Sequence, residues 1–219
     1  MIISKRQQLT EDLLSSAGIL PVVAVDTLEQ ARGVANALRE GGLPVMELTL
    51  RTPVAMEALA TLKKELPGFA IGAGTVLTIH QIGQCVGAGA DFLVTPGTPA
   101  HMAEALASAP VPVIPGAASP TELLALLHLG FHVCKLFPAS AVGGLAMVKA
   151  LQGPVPQLKL CPTGGITEAT ASDYLSQPNV ICVGGSWMVP RHWIEDGDWT
   201  SIRETAARAA QIVKELRRD

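Results

Sequence analysis

The sequence predicts a (β/α)8 TIM barrel with an additional N-terminal helix. Three observations carry this reading: a rhythm of short apolar runs, helical stretches between them, and capping residues at the joints. Runs rich in β-branched residues begin near Ile19, Val45, Ala70, Phe92, Val111, His132, Leu158 and Val180. Ala/Leu/Glu-rich stretches with helical periodicity, such as 28–40 and 54–66, lie between them. Strands alternating with helices imply parallel βαβ units, and eight such units close into a barrel. The competing arrangement, an open doubly wound sheet, would in its dinucleotide-binding form need glycines after the first strand. Val25-Asp26-Thr27-Leu28 offers none.

The punctuation justifies each element in turn. Residues 5–17 read as a helix ahead of the first strand. Thr27, Thr52, Thr78, Thr98, Ser119 and Thr167 stand just ahead of helical stretches, where a hydroxyl accepts from an orphan backbone N–H. Pro53, Pro99 and Pro120 follow at the expected first helical position, where a missing N–H costs nothing. Thr27 with Gln30, Thr78 with Gln81 and Ser119 with Glu122 have capping-box spacing. Two connections break this pattern: strand six exits into 139–144 and strand eight into 184–187. Loops after strands form the functional face of a barrel, so function is expected there. No linker or composition shift interrupts the chain, which predicts one barrel domain over 1–219, with 1–18 the N-terminal helix packed on it.

Composition excludes several classes of function. With 48% hydrophobic and 16% charged residues the chain is no disordered polar segment. Its 16 Lys+Arg against 19 Asp+Glu argue against a nucleic-acid partner. The polar N-terminus does not resemble a signal peptide, and no apolar run reaches the roughly 18 residues of a membrane helix. A cytoplasmic protein without membrane contact is expected. Cys85, Cys134, Cys161 and Cys182 form no C-x-x-C pair and read as reduced, buried small hydrophobes. His80, His101, His128, His132 and His192 are scattered without metal-site spacing, so no metal and no cofactor are expected. Trp187, Trp193 and Trp199 fit either local packing or an oligomer contact. Residues 214–219 read as a solvated helix end.

Charges on strands are the informative exception, since strands buried on both faces should be apolar. The second strand reads Met46-Glu47-Leu48-Thr49-Leu50-Arg51, and alternation puts Glu47, Thr49 and Arg51 on one face, toward the barrel interior. The sixth, His132-Val133-Cys134-Lys135-Leu136-Phe137, puts Lys135 with Val133 and Phe137. A purely structural ion pair would contribute little stability, because desolvation offsets its attraction. Two cations and one carboxylate inside a barrel also leave a positive charge over, which calls for an anion. An amine among apolar neighbours and near a second cation is favoured in its neutral form, able to attack a carbonyl carbon. Arginine suits a carboxylate, and glutamate can move protons. Together they point to a small α-keto acid.

The last two strands end in Thr163-Gly164-Gly165 and Gly184-Gly185-Ser186. Backbone N–H groups at the ends of strands seven and eight often cradle a phosphate, and glycine lets the anion approach. Either Gly-Gly pair alone could simply close a turn; two at adjacent strand ends suggest an anion site. Thr75 and Pro96 end strands three and four and are expected at the same mouth.

The segments Gly42-x-x-x-x-Glu47-Leu-Thr-Leu-Arg51 and Gly130-x-x-x-x-Lys135-Leu-Phe-Pro-Ala-x-x-x-Gly143 resemble the two signatures of the 2-keto-3-deoxy-6-phosphogluconate (KDPG) / 4-hydroxy-2-oxoglutarate (KHG) aldolase family. Gly-Ala-Gly-Thr75, Thr-Pro-Gly97, Pro-Gly116, Thr-Gly-Gly165 and Gly-Gly-Ser186 fall in the family's order, so the resemblance spans nearly the whole chain. It implies a metal-free class I aldolase of the Entner–Doudoroff pathway, usually a homotrimer. It implies that Lys135 forms the imine and Glu47 is the acid/base residue. Arg51 and Thr75 would then hold the carboxylate, Thr163 lie near the imine, Pro96 and Phe137 shape the pyruvyl pocket, and Gly164, Gly165, Gly184, Gly185 and Ser186 bind phosphate. Two rivals remain open: an aldolase for the galactonate epimer, and a non-catalytic binder of phosphorylated sugar acids.

Overall fold

The computed structural model describes residues 4–216. Nine short parallel strands make eight staves: β1 (Ile19–Val23), β2 (Val45–Thr49), β3 (Ala70–Gly74), β4 (Leu93–Val94), β5 (Val113–Ile114), β6 (Gly116–Ala117), β7 (Val133–Leu136), β8 (Lys159–Pro162) and β9 (Val183–Gly185). One ladder runs β5-β4-β3-β2-β1-β9 and a second β6-β7-β8. The isolated bridges Leu160↔Val180 and Thr163↔Gly184 join β8 to the β9 stave. β5 and β6 are one stave divided at Pro115, which has no N–H to give to a ladder. Its carbonyl instead accepts from the Lys135 N–H at 2.9 Å, so pairing passes from β4 to β7 across this residue. The Gly116 N–H is satisfied by Thr95 Oγ1 at 2.9 Å. The barrel predicted from the apolar rhythm is therefore the one observed.

Helices follow the staves: α2 (Leu28–Glu40), α3 (Ala55–Glu65), α4 (Ile79–Gly87), α5 (Ala100–Ala107), α6 (Pro120–His128), α7 (Gly144–Gln152), α8 (Glu168–Leu175), α9 (Arg191–Asp196) and α10 (Trp199–Leu216). The expected caps hold at Thr27 and Thr78, which accept from Gln30 N and Gln81 N at 3.1 Å each. Ser119 and Glu122 form a full capping box, with Pro120 in the first turn. Thr167 precedes α8, and its N–H donates to Thr170 Oγ1 at 3.0 Å. Two predicted caps are not caps. Thr52 Oγ1 donates to the Val25 carbonyl at 2.6 Å and Thr98 Oγ1 to the Gly116 carbonyl at 2.9 Å. The helices after them begin later, with Val54 and Pro99 at the cap positions, so Pro53 and Pro99 are not first helical residues. A carbonyl left open at a neighbouring stave's end competes with the helix for each hydroxyl.

Apolar side chains lie in two layers. The outward residues of the staves, such as Ile19, Met46, Leu48, Ile71 and Leu136, pack against the helices. The inward layer holds Leu20, Val45, Phe92, Ile114, Val133 and Cys161 and is closed by Leu14 and Ala17 of α1 (Lys5–Ala17). Helix α1 thus plugs the N-terminal end of the barrel. Gln7 Oε1 accepts from the buried His132 N–H at 2.9 Å, and Arg6 donates to the Ala107 and Ala109 carbonyls. The four cysteines are free and buried; burial pushes the Cys85 thiol up to about 11 and the Cys134 thiol upward as well. His80, His101, His128 and His192 are exposed. Each of the three tryptophans packs against the chain's own core. Among the described residues no helix is long and apolar enough to cross a membrane. Residues 217–219, the tip of the expected solvated helix end, lie outside the described residues.

Candidate active site

The two polar staves bring their charges together. On β2, Val45, Glu47 and Thr49 share a face, while Met46 and Leu48 pack outward against the helices. On β7, Lys135 stands two residues beyond Val133, one rung above the apolar plug. Lys135 Nζ donates to Glu47 Oε1 at 3.2 Å and Oε2 at 3.4 Å. The side chains are only 5% and 1% exposed, so this pair is largely withdrawn from bulk water. Nζ also lies 5.3 Å from the centroid of the Phe137 ring, whose face attracts a cation. Glu47 has room because the facing residue is a glycine. A Cβ on Gly74 would stand 2.2 Å from Oε1 and 2.5 Å from Cγ of Glu47.

Arg51 is placed differently from the sequence expectation. It is exposed at the mouth, not in the barrel interior. Alternation holds only while the ladder continues, and β2 ends at Thr49, which pairs with Gly74. The chain then turns outward through residues 50–54. Among the described residues the barrel interior therefore has one cation matched by one carboxylate, and the surplus positive charge sits at the rim. There the Arg51 Nε–H donates to Thr75 Oγ1 at 3.2 Å. Thr75 has φ +57°, an unfavourable conformation for a β-branched residue and the single positive φ outside glycine among the described residues. Such strain persists where the surroundings hold a side chain for a purpose. Here the purpose visible is the Arg51 contact.

A cleft of about 400 Å³ opens above the Lys135–Glu47 pair at the C-terminal ends of the staves. Lys135, Phe137, Thr163, Arg51, Gly164 and Gly165 line it, joined by Gly185 and Ser186. Gly164 and Gly165 have φ +98° and +78°, so their left-handed backbone explains why glycine is needed. Gly184 and Gly185 are glycines for want of space: added Cβ atoms would stand 2.2 Å from Thr163 Oγ1 and 1.9 Å from the Trp187 ring. Gly184 lies behind Thr163, bridged to it, rather than on the cleft surface. Pro96 is likewise off the cleft surface, its backbone packed against Gly116. Sequence reasoning missed a polar rim of Asp26, Gln30, Arg191 and Glu195, which also lines this cleft. The available signal was that Asp26 and Arg191 follow the first and last staves, which become neighbours when a barrel closes.

A lysine and a glutamate buried against each other below a glycine-rimmed cleft can do imine chemistry and proton transfer. The family model for KDPG and KHG aldolase matches residues 10–205. The chain belongs to the KDPG/KHG aldolase family. It is 40% identical over 204 residues to the KHG/KDPG aldolase of Escherichia coli (strain K12), covering 93% of this chain and 96% of that one. It is 43% identical to a crystallised KDPG aldolase from Legionella pneumophila with pyruvate captured as a covalent carbinolamine intermediate (TM-score 0.88, 90% of this chain and 96% of that one). The KDPG aldolase of Zymomonas mobilis ZM4 with 3-phosphoglycerate is 37% identical (TM-score 0.89, 94% and 97% covered). The match runs through both signature staves, so as a family member this chain is an aldehyde-lyase of the class I, imine-forming type.

Proposed function

We propose that this chain cleaves 2-keto-3-deoxy-6-phosphogluconate to pyruvate and glyceraldehyde 3-phosphate, the aldol step of the Entner–Doudoroff pathway, and also acts on 4-hydroxy-2-oxoglutarate. The observation that carries this reading is the buried contact of Lys135 Nζ with both Glu47 oxygens at the floor of the cleft. The Lys135 ammonium gives a proton to Glu47, the freed amine attacks the C2 carbonyl, and Glu47 passes that proton to the departing hydroxyl, which leaves as water and gives the protonated imine. That imine draws the C3–C4 bonding pair toward nitrogen as the C4 hydroxyl gives its proton to Glu47. The C4 fragment departs as an aldehyde. Protonation of the enamine at C3 and hydrolysis then release pyruvate and restore the amine.

The other residues take their roles from place. Arg51, braced by Thr75, meets the substrate carboxylate at the rim, where a guanidinium fork binds it in two points. Phe137 and Thr163 flank the imine, and Pro96 supports the wall behind it. The backbone at Gly164, Gly165 and Gly185, with Ser186, receives the phosphate, while Gly184 gives Thr163 its space. We also propose a cytoplasmic homotrimer; exposed Leu77, Ile79 and Leu124, at 54%, 52% and 51%, supply apolar surface for self-association. The test is direct cleavage of KDPG, its galactonate epimer and 4-hydroxy-2-oxoglutarate, read by pyruvate release. KDPG should be turned over fastest, and Lys135→Arg should abolish turnover of all three. Turnover by Lys135→Arg, or no cleavage of any substrate by the native chain, overturns the proposal.

A further inference from the structure

We propose that Arg191 reads the phosphate end of the substrate, leaving a pair of rim carboxylates to do so; the inference rests on the aldolase reading above. Five charged side chains line the cleft: Asp26, Arg51, Lys135, Arg191 and Glu195. Lys135 is already engaged by Glu47 and Arg51 by Thr75. Arg191 is then the one cation lining the cleft from the β9 side, after Gly185 and Ser186. Its Nε–H donates to Glu195 at 2.6 Å and its Nη2 to Asp26 at 3.3 Å, while Nη1 has no partner among the described residues.

The side chain is 78% exposed and its two partners are about half exposed, at 51% and 49%. Exposed ion pairs of this kind are weak, so the guanidinium can be recruited by a stronger partner. A phosphate dianion is such a partner, because its oxygens match the planar fork. Arg191 has a second effect. Without it, Asp26 and Glu195 would face the dianion uncompensated, and like charges repel at this range. One residue therefore both attracts the phosphate and masks two groups that would reject it. A substrate ending in a carboxylate without phosphate, too short to reach this rim, has no use for it.

Arg191→Ala tests the inference, assayed in the full chain with KDPG and with 4-hydroxy-2-oxoglutarate. Without the charge-assisted hydrogen bonds of the guanidinium, KM for KDPG should rise about tenfold or more, with kcat and the kinetics of 4-hydroxy-2-oxoglutarate held. Adding Asp26→Asn and Glu195→Gln to Arg191→Ala should recover part of the loss, which a merely structural role would not do. Titration of glyceraldehyde 3-phosphate by calorimetry gives the same comparison without turnover. Unchanged KM for KDPG and unchanged aldehyde-phosphate affinity, or equal loss with both substrates, would overturn the inference. Failure of the native chain to cleave either substrate would instead strike the aldolase reading.

Discussion

Glu47→Gln separates what the buried pair does for stability from what it does for catalysis. At 3.2 Å the attraction between Nζ and Oε1 is about 5 kcal/mol at an effective dielectric of about 20. Desolvation of two groups that are 5% and 1% exposed offsets most of it. Removing one partner is another matter, since the amide keeps the volume and leaves the ammonium without a counter-charge. Breaking a buried pair in this way costs roughly 3–5 kcal/mol. Urea denaturation should show that loss in Glu47→Gln. It should show recovery to within about 1 kcal/mol of the native chain in Lys135→Met/Glu47→Met, where both charges are gone. Pyruvate release by Glu47→Gln should fall by roughly 10²–10⁴-fold, the range for loss of a positioned acid/base group. A single variant losing under about 1 kcal/mol, or a double variant as unstable as the single one, would refute the reasoning.

Gly74→Ala should act on the same carboxylate from behind. Its Cβ would stand 2.2 Å from Glu47 Oε1, so turnover should drop sharply while circular dichroism shows the barrel intact; full activity would contradict the contact. Glu122→Gln should reveal a pH effect at the α6 cap. The N–H of Ala118, aided by the hydroxyl and N–H of Ser119, holds the Glu122 carboxyl below its ordinary value. A depressed carboxyl contributes stability that is present above the unfolded value of about 4.3 and lost as pH falls through the folded one. The melting-temperature gap between native chain and variant should therefore narrow from pH 7 toward pH 3. A constant gap would contradict it.

The staves were legible because period-two alternation is imposed by the backbone wherever a ladder continues, and it placed Glu47 and Lys135 inward correctly. The same rule misplaced Arg51, since nothing local in Leu50-Arg51 marks the end of pairing at Thr49. Hydroxyl caps were legible at Thr27, Thr78 and Ser119, where the nearest open partner is the helix itself. They failed at Thr52 and Thr98, whose hydroxyls reach carbonyls on Val25 and Gly116 that only the closed barrel brings near. The role of Gly74 depends on the side chain of Glu47, a partner on another stave. The rim was illegible for a related reason. Arg191 and Asp26 are 165 residues apart, and each alone reads as an ordinary solvated charge.

The central claim is that Lys135 is the nucleophile. Incubation with pyruvate, reduction with borohydride and peptide mass spectrometry test it most directly. The account predicts a single reduced pyruvate adduct on the peptide carrying Lys135, absent in Lys135→Arg. No adduct, or one on an exposed lysine such as Lys149 in its place, would contradict it.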